Sequence, residues 1–296
     1  MADVNEKQSI SELLVNNMKL SEQQRALGCA IAAAKAAGKI MRDNFHSPKT
    51  INSATRHDIK LELDVLCQKR IESMLRGAFP EVAILGEEGV AGDQEAPYRW
   101  VVDPIDGTVN FTCGIPHACV SIALQARGEL AFWPRGESSR RHPDHLYQTL
   151  AGVVYDPFCD ELWTASRGGV ARLNGRIIHV SNRKNLGEAI VSIGFAKQRS
   201  TMNKMVPILN RLIPRVRKVR LMGAAALSMV YVASGRMDAY LEYGLRLWDI
   251  AAGGLILECA GGDFWSQPLP GKHTYQVLAN NGLLRRKLEK FTKRGA

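Results

Sequence analysis

Three apolar segments of this chain end alike, in one or two acids with a glycine close behind. They are AILGEEG (residues 83–89), WVVDPIDGT (100–108) and LWDIAAG (247–253). In folds that mix helices and sheets, strand ends open toward the crevices where ligands bind. If these three ends converge, Glu87, Glu88, Asp103, Asp106 and Asp249 bring at least four carboxylates into one cleft. Repulsion of that kind is severe without compensation, so the fold must supply a remedy. Protonation of some acids is one, as in a carboxylate dyad. A divalent cation is the other, and hard oxygen donors suit Mg2+ better than softer metals.

The small residues between the acids add to this. Pro104 stiffens the turn, so the Ile105 carbonyl can be aimed at a metal. Gly107 and Thr108 offer backbone N–H groups at a helix start, a seat for phosphate, and the Thr108 hydroxyl can orient a water. Metal, activated water and anion cradle together are the parts of metal-assisted phosphate hydrolysis. Taken singly, each residue has a plain structural use: Asp249 as an N-cap, Glu87 and Glu88 as a solvated turn, Asp-Gly as a turn signal. The joint pattern is what points to chemistry.

The rest of the chain alternates between helical and strand patterns. SEQQ from Ser21 has the form of a capping box, and Leu27, Ile31, Ala34, Gly38 and Met41 follow at helical spacing. IKLEL (59–63) alternates like a short strand, with Asp64 as N-cap of a second helix that turns Cys67, Ile71, Met74 and Ala78 inward. Strands are expected at 82–85, before the acid motif at 100–102, and at 118–124, 150–155, 161–165 and 189–195, and NGRII (174–178) predicts a turn and one more. The polar stretch 132–148 reads as a surface insertion between two of them. MVPILNRLI (205–213) predicts a helix with Pro207 near its start, and GAAALSMVYVASG (223–235) a helix between glycines. DAYLEY (238–243) reads as a strand, and LWDIAAGGLILECAGG as a helix capped by Asp249 and closed by Gly261 and Gly262. The expected class is α+β, one compact catalytic unit with an extension over 1–20, a first half over 21–185 holding most candidate ligands, and a second over 186–296.

A net charge of +10 and a pI near 9.4 favour anionic partners, whether phosphorylated metabolites, nucleic acid or acidic surfaces. The basic runs at 215–220 and 285–294 read as solvated faces. Six cysteines form no CxxC pair and lie mostly in apolar segments, the pattern of reduced, buried thiols in a cytoplasmic protein. The N-terminus lacks the basic start and apolar core of a signal peptide, and no apolar run approaches the roughly 20 residues that span a bilayer.

GEEG, WVVDPIDGTVNFTCGIPHACVSIAL and WDIAAGGLILECAGG resemble the signature segments of the inositol monophosphatase family, within the lithium-sensitive, Mg2+-dependent phosphatases. The resemblance runs from about Ser21 to the C-terminal helix and includes YDPFCDELWTASRGG, LNGR and DAYLEYG. It implies a layered α/β sandwich of alternating helices and sheets, a homodimer, and hydrolysis of inositol monophosphates by a metal-activated water. Glu87, Asp103, the Ile105 carbonyl and Thr108 would surround the first Mg2+ and its water. Asp103, Asp106 and Asp249 would hold the second on the leaving-group side, with Glu88 in support. Gly107 and Thr108 would bind phosphate, with Glu87, Asp106 and Asp249 also at the substrate. Asp64 would join the general-base network, Glu242 would bond substrate hydroxyls, and Gly223 and Ala225 would line the substrate.

This chain departs from the family pattern in places. Ala224 stands where the family often has Ser or Thr, and IGFAKQR lacks the aromatic or proline common after that Gly-Phe. The stretch 132–148 is much longer than the family's usual turn, and its His142 and His145 are weak metal evidence. A related substrate is the alternative: a bisphosphate nucleotide, fructose 1,6-bisphosphate or histidinol phosphate. A basic RNA- or protein-binding scaffold is a further one, although no aromatic-studded RNA motif is present.

Overall fold

Val101 and Val102 are adjacent on one strand, yet they belong to different hydrophobic cores. Side chains alternate across a strand, so a sheet buried on both faces must be covered twice. That requirement sets the architecture of this chain, seen in a computed structural model that describes residues 18–49, 51–54, 59–128, 143–195 and 199–292.

After helix α1 (Leu20–Asp43), strands β1 (Ile51–Ala54) and β2 (Ile59–Leu61) pair antiparallel, and α2 (Glu62–Ala78) follows. Eight strands then build the larger sheet: β3 (Ala83–Gly86), β4 (Gly89–Ala91), β5 (Tyr98–Asp106), β6 (Cys119–Arg127), β7 (Tyr147–Asp156), β8 (Glu161–Ser166), β9 (Arg172–Leu173) and β10 (Arg176–Ile177). Their order is β10-β9-β8-β7-β6-β5-β3-β4, antiparallel except for β3 beside β5. A five-residue helix, α3 (Thr108–Thr112), follows β5. The second sheet, in the order β12-β11-β13-β15-β14, joins β11 (Ile190–Phe195), β12 (Lys218–Arg220), β13 (Ala239–Arg246), β14 (Asp263–Pro268) and β15 (Thr274–Asn280). Helices α4 (Arg199–Leu212), α5 (Ala225–Ala233), α6 (Leu247–Cys259) and α7 (Arg285–Thr292) complete the described chain.

The layers run helix, sheet, helix, sheet, helix. Helices α1 and α2 cover one face of the large sheet with Ala30, Ala34, Met41, Ile71 and Leu75 against Trp100, Val102, Ile122 and Val153. Its other face, carrying Val101, Ala123, Val154 and Trp163, meets α5 and α6. Those two helices also receive Tyr240, Tyr275 and Val277 from the second sheet, so they are buried nearly all round. Such helices cannot be amphipathic, and GAAALSMVYVA and IAAGGLILEC are accordingly apolar on every side. The far face of the second sheet packs Val191, Ile193 and Leu241 against α4 and α7. Each large side chain buried this way contributes about 1.5–3 kcal/mol.

Several expected boundaries shift by part of a turn. Helix α1 begins before Ser21: Lys19 is its N-cap residue, and its N–H donates to the Glu22 carboxylate at 3.1 Å. IKLEL is strand only through Leu61, and Asp64 is not the N-cap of α2 but its third residue, accepting the Leu61 N–H at 2.8 Å. Asp249 likewise lies third in α6 and accepts the Arg246 N–H at 2.8 Å. In each case the acid satisfies the N-cap amide from inside the helix, where an N-cap side chain would bond onward from outside it. Pro207 falls well inside α4; it and Asn203, whose carbonyl its missing N–H would have met, both face solvent. All six cysteines are free, but only Cys67 and Cys119 are buried, while Cys113 and Cys159 are exposed. Residues 129–142, including His142, lie outside the described residues, as does the side chain of His145. The end of the expected surface insertion is not surface: Tyr147 and Gln148 belong to β7, and Asp144 is only 3% exposed.

Candidate active site

The pairing of β5 with β6 runs in register from Tyr98 to Asp103 and then slips before resuming at Asp106 opposite Cys119. Pro104 sits in the slip and has no N–H to give to a ladder. Residues three apart on a regular strand face opposite sides, but the irregularity brings the Asp103 and Asp106 carboxylates within each other's field. Asp103 accepts the Ile105 N–H at 3.0 Å, which fixes the turn from inside. The Ile105 carbonyl receives the Thr108 hydroxyl at 2.9 Å. Gly107 has φ +93°, and a Cβ there would meet the His117 carbonyl oxygen at 2.9 Å, so only glycine allows the chain to turn into α3 at this point.

Glu87 and Glu88 follow β3 in the tight turn to β4. The Glu87 N–H donates to the Val102 carbonyl at 3.1 Å, which holds this turn one residue from Asp103 on the neighbouring strand. Gln68, buried on α2, accepts the Glu88 N–H at 2.8 Å and donates to the Gly89 carbonyl at 3.1 Å. Asp249 arrives from the second sheet's side, on the first turn of α6. Ser121 on β6 ties that turn to the large sheet by donating to the Trp248 carbonyl at 3.1 Å. Asp64 is buried at the start of α2, and β2, the strand immediately before it, packs against α3.

Burial is the main force on these acids. It raises the Asp103 pKa well above the ordinary value, and the charges of Glu87, Asp106 and Asp249 and a hydrogen bond shared with Glu87 raise it further. Asp249 is raised by burial and by Asp106 and Glu87, against the opposing Arg246 N–H. Asp106 is pushed up by burial only to about 6, because the N–H groups of Ala225 (3.1 Å) and Ala226 (2.7 Å) stabilise its charge. Those amides open α5, so Asp106 caps a helix of the central layer between the two sheets. The Cys119 thiol beside Asp106 is forced well up by burial and the nearby acids, so it stays a neutral S–H donor.

Glu242 projects from β13, and its carboxyl is pushed up to about 7 by burial, with the Tyr240 hydroxyl opposing and Asp106 adding to the rise. Tyr240 donates to it directly. A Cβ at Gly194 of β11 would lie 1.8 Å from the Glu242 carboxylate, so the glycine opposite is what gives Glu242 its room. Asn110 on α3 donates to the carbonyls of His117 (2.9 Å) and Met222 (2.8 Å), which ties α3 to the Gly223 turn ahead of Ala225. Sequence reading passed over Gln68, Gly194, Tyr240, Ser121 and Asn110. Tyr240 was within reach, two positions from Glu242 on the same strand face; the others act through pairings that only the fold reveals.

Glu87, Asp103, Asp106 and Asp249 thus act on one another from three separate elements, and Glu242 feels Asp106. Among the described residues, no three acid, imidazole or thiol groups already converge on a single ion-sized point. The repulsion is spread across the cluster instead. The donor set fits a hard cation: carboxylates and the Ile105 carbonyl, with the one adjacent thiol held neutral. Beside Glu87 a cavity of about 1160 Å³ opens between the β3–β4 turn, Leu146 and Tyr147, and Trp248 with the Gly271–His273 turn.

Among the described residues no helix is long and apolar enough to cross a membrane. The inositol monophosphatase family profile matches residues 22–132 and 147–287, leaving 133–146 outside the match. A Xylella fastidiosa relative named Nus factor SuhB is 36% identical over 271 residues, spanning 88% of this chain and 91% of that protein. The crystal structure of the extragenic suppressor protein suhB from Bartonella henselae superposes with a TM-score of 0.78 at 30% identity, covering 91% of this chain and 98% of that one. The structure of inositol monophosphatase from Anabaena superposes with a TM-score of 0.75 at 32% identity, covering 90% and 95%. Five stacked layers and a carboxylate cluster at their junction therefore have a lineage: the chain belongs to the inositol monophosphatase family.

Proposed function

We propose that the chain is a Mg2+-dependent phosphatase of small phosphate monoesters, inositol monophosphates first among them. The observation that carries this reading is the electrostatic coupling of four carboxylates that reach one cleft on three independent elements. A cluster of that charge is stable only with protons or cations, and family membership favours cations.

Glu87, Asp103, the Ile105 carbonyl, Asp106 and Asp249 would hold the magnesium, which when bound supplies neutralising charge and polarises a water and the phosphoryl group. The protein's own groups do the rest. Thr108 and Glu87 would orient the attacking water, and Thr108 is itself oriented by its bond to the Ile105 carbonyl. Gly107 and Thr108 present N–H groups that have no intrahelical acceptor, which suits a phosphate. Asp64, at the start of α2 behind the strand that packs against α3, would steady that base network. Glu242, close to half ionised at neutral pH, can accept from or donate to neighbouring substrate hydroxyls. Release of phosphate from inositol 1-phosphate with and without Mg2+ tests the reading, and full activity in excess chelator would defeat it. Free thiols throughout fit a reducing cytoplasm, and the homodimer belongs to the same reading, to be checked by light scattering.

One observation favours a second role. Relatives carry the name Nus factor SuhB, and this chain exposes Arg215, Arg217, Lys218 and Arg220 along the edge of its second sheet. Under that reading the chain also binds a polyanion or an acidic protein. Retention of an RNA probe that falls steeply between low and moderate salt would support it, and no binding at low salt would remove it.

A further inference from the structure

The end of the insertion carries a buried acid with an unusual set of partners. Asp144, outside the family match, receives Arg99 at 2.8 Å, the His273 ring at 2.8 and 2.9 Å, and the Tyr275 hydroxyl at 2.7 Å. Arg99 is itself buried; its Nε donates to Gln125 at 2.9 Å, and its guanidinium lies 3.8 Å over the Tyr147 ring. Burial alone would raise the Asp144 carboxyl, but the His273 bond and the Arg99 charge hold it below the ordinary carboxylate range. This is an ionised, fully bonded knot in a low-dielectric interior, the kind of network that fixes its members rigidly.

Its two sides lead to the acids of the site. Arg99 lies on β5, four residues from Asp103 and on the same strand face. His273 leads to α6. Its carbonyl accepts the N–H of Leu247, the first residue of that helix, at 3.0 Å. The neighbouring Lys272 carbonyl and Thr274 hydroxyl accept the Arg246 guanidinium at 2.7 and 2.6 Å, and the Arg246 N–H holds Asp249 at 2.8 Å. His273 takes the left-handed φ of +52°, uncommon for a residue with a side chain, and its bond to Asp144 secures it there. A continuous run of bonds therefore joins Asp144 to two of the acid-bearing elements, strand β5 and helix α6.

We propose that Asp144 is a positioning residue that sets the separation of Asp249 from the β5 acids, and with it the affinity of the carboxylate cluster for divalent metal. The proposal rests on the metal-site reading above. It gives the insertion a function in this chain that a short turn between β6 and β7 cannot supply, because no residue of such a turn would occupy the place of Asp144.

The test is Mn2+ binding to the full-length protein by calorimetry, with steady-state kinetics beside it. Asp144→Ala is expected to weaken Mn2+ binding by about tenfold and to lower kcat, with substrate KM near wild type and part of kcat regained at saturating metal. Asp238→Asn is the control: it perturbs a buried acid held by Ser181, Arg183 and the Ile190 amide, away from β5 and α6, and should leave Mn2+ affinity unchanged. If Asp144→Ala fails to fold, His273→Gly decides, since glycine accepts φ +52° and removes only the imidazole; a several-fold loss of affinity is expected. Wild-type affinity in a folded Asp144→Ala or His273→Gly protein, or an equal loss in Asp238→Asn, overturns the proposal alone. A wild-type protein that binds no Mn2+ overturns the metal-site reading and this proposal with it.

Discussion

The metal-free protein should lose stability as pH rises from 5 to 8, and Mg2+ should reverse that trend. The reasoning starts from Asp106, whose carboxyl titrates near 6 in the fold against 3.8 for an ordinary aspartate. A raised acid holds its proton longer in the folded state than in the unfolded one. Its contribution is therefore complete below pH 4 and is lost as pH climbs through 6. At about 1.4 kcal/mol per pH unit, the full contribution is about 3 kcal/mol. Roughly half of it remains at pH 5 and almost none at pH 8, a loss of about 1.4 kcal/mol within the experimental window. For a chain of this size that is roughly 2 °C in Tm from Asp106 alone. Asp103, Asp249 and Glu242 are raised as well and add losses of the same sign.

Two groups act differently. His117 is depressed by burial, so its contribution grows as pH rises through the ordinary histidine range, against the trend. Asp144 is lowered, and its stabilisation is lost only in acid, below the window. Saturating Mg2+ binds the ionised acids, so the gain in Tm on adding it should increase with pH, reaching about 2.7 kcal/mol of stability where Mg2+ stands at a hundredfold excess over Kd. Thermal melts in chelator and in Mg2+ at pH 5, 6, 7 and 8 measure both slopes. A chelated Tm that is flat or rising across this range, with a Mg2+ gain that does not grow, would refute the account.

Asp103→Asn should reduce turnover by several orders of magnitude while raising the chelated Tm at pH 8, because it removes the charge that meets the other three acids; Thr108→Ala should be milder, and the reverse order in side-by-side kinetics would overturn the division of roles. Gly194→Ala places a methyl where the Glu242 carboxylate now lies, so it should weaken turnover of inositol phosphate at least tenfold more than that of an aryl phosphate, and equal losses on the two substrates would show that Glu242 does not read the polyol. Replacing 131–141 with a short glycine turn should leave Tm within a few degrees, since Gly128 already bonds to Leu146 at 2.8 Å, whereas extending the cut through Asp144 leaves Arg99 buried and unpaired at a cost of about 3–5 kcal/mol in denaturant melts.

Much of this was written in the chain at short range. WVV and ACVSIAL read as strands and GAAALSMVYVA as a helix, and their near-continuous apolar character suits a sheet covered on both faces and a helix between layers. The acids, the turn at Pro104 and the Asp-Gly signal at Gly107 were equally visible, while the slip in β5 and the left-handed φ came only with the fold. What stayed hidden depends on partners distant in sequence. Gln68 fixes the Glu88 turn from 20 residues away, and Ser121 reaches Trp248 across 127. Asp144 looked like part of a polar loop because its neighbours are polar; its partners at positions 99, 273 and 275 come from two other strands and a turn. No local pattern separates a loop aspartate from a buried one.

The same limit appears in the helices. Glu22, Asp64 and Asp249 each stand third in a helix and each accept the N–H of the N-cap residue, at 3.1, 2.8 and 2.8 Å. As local structure the three are one device, worth about 1 kcal/mol of helix stability. Glu22 is exposed, and beyond this bond its charge acts on Tyr98. Asp64 is buried at the start of α2, and Asp249 meets Asp106 and Glu87 in the cleft, where burial and those two acids raise its pKa. The backbone bond also serves the chemistry, since it pins the carboxylate on one side and so directs it without help from a neighbouring side chain. The acids of this site are thus ordinary helix-start and strand-end residues whose structural bonds double as orientation. Their chemistry begins where the second layer of the fold closes over them and water can no longer compensate their charge.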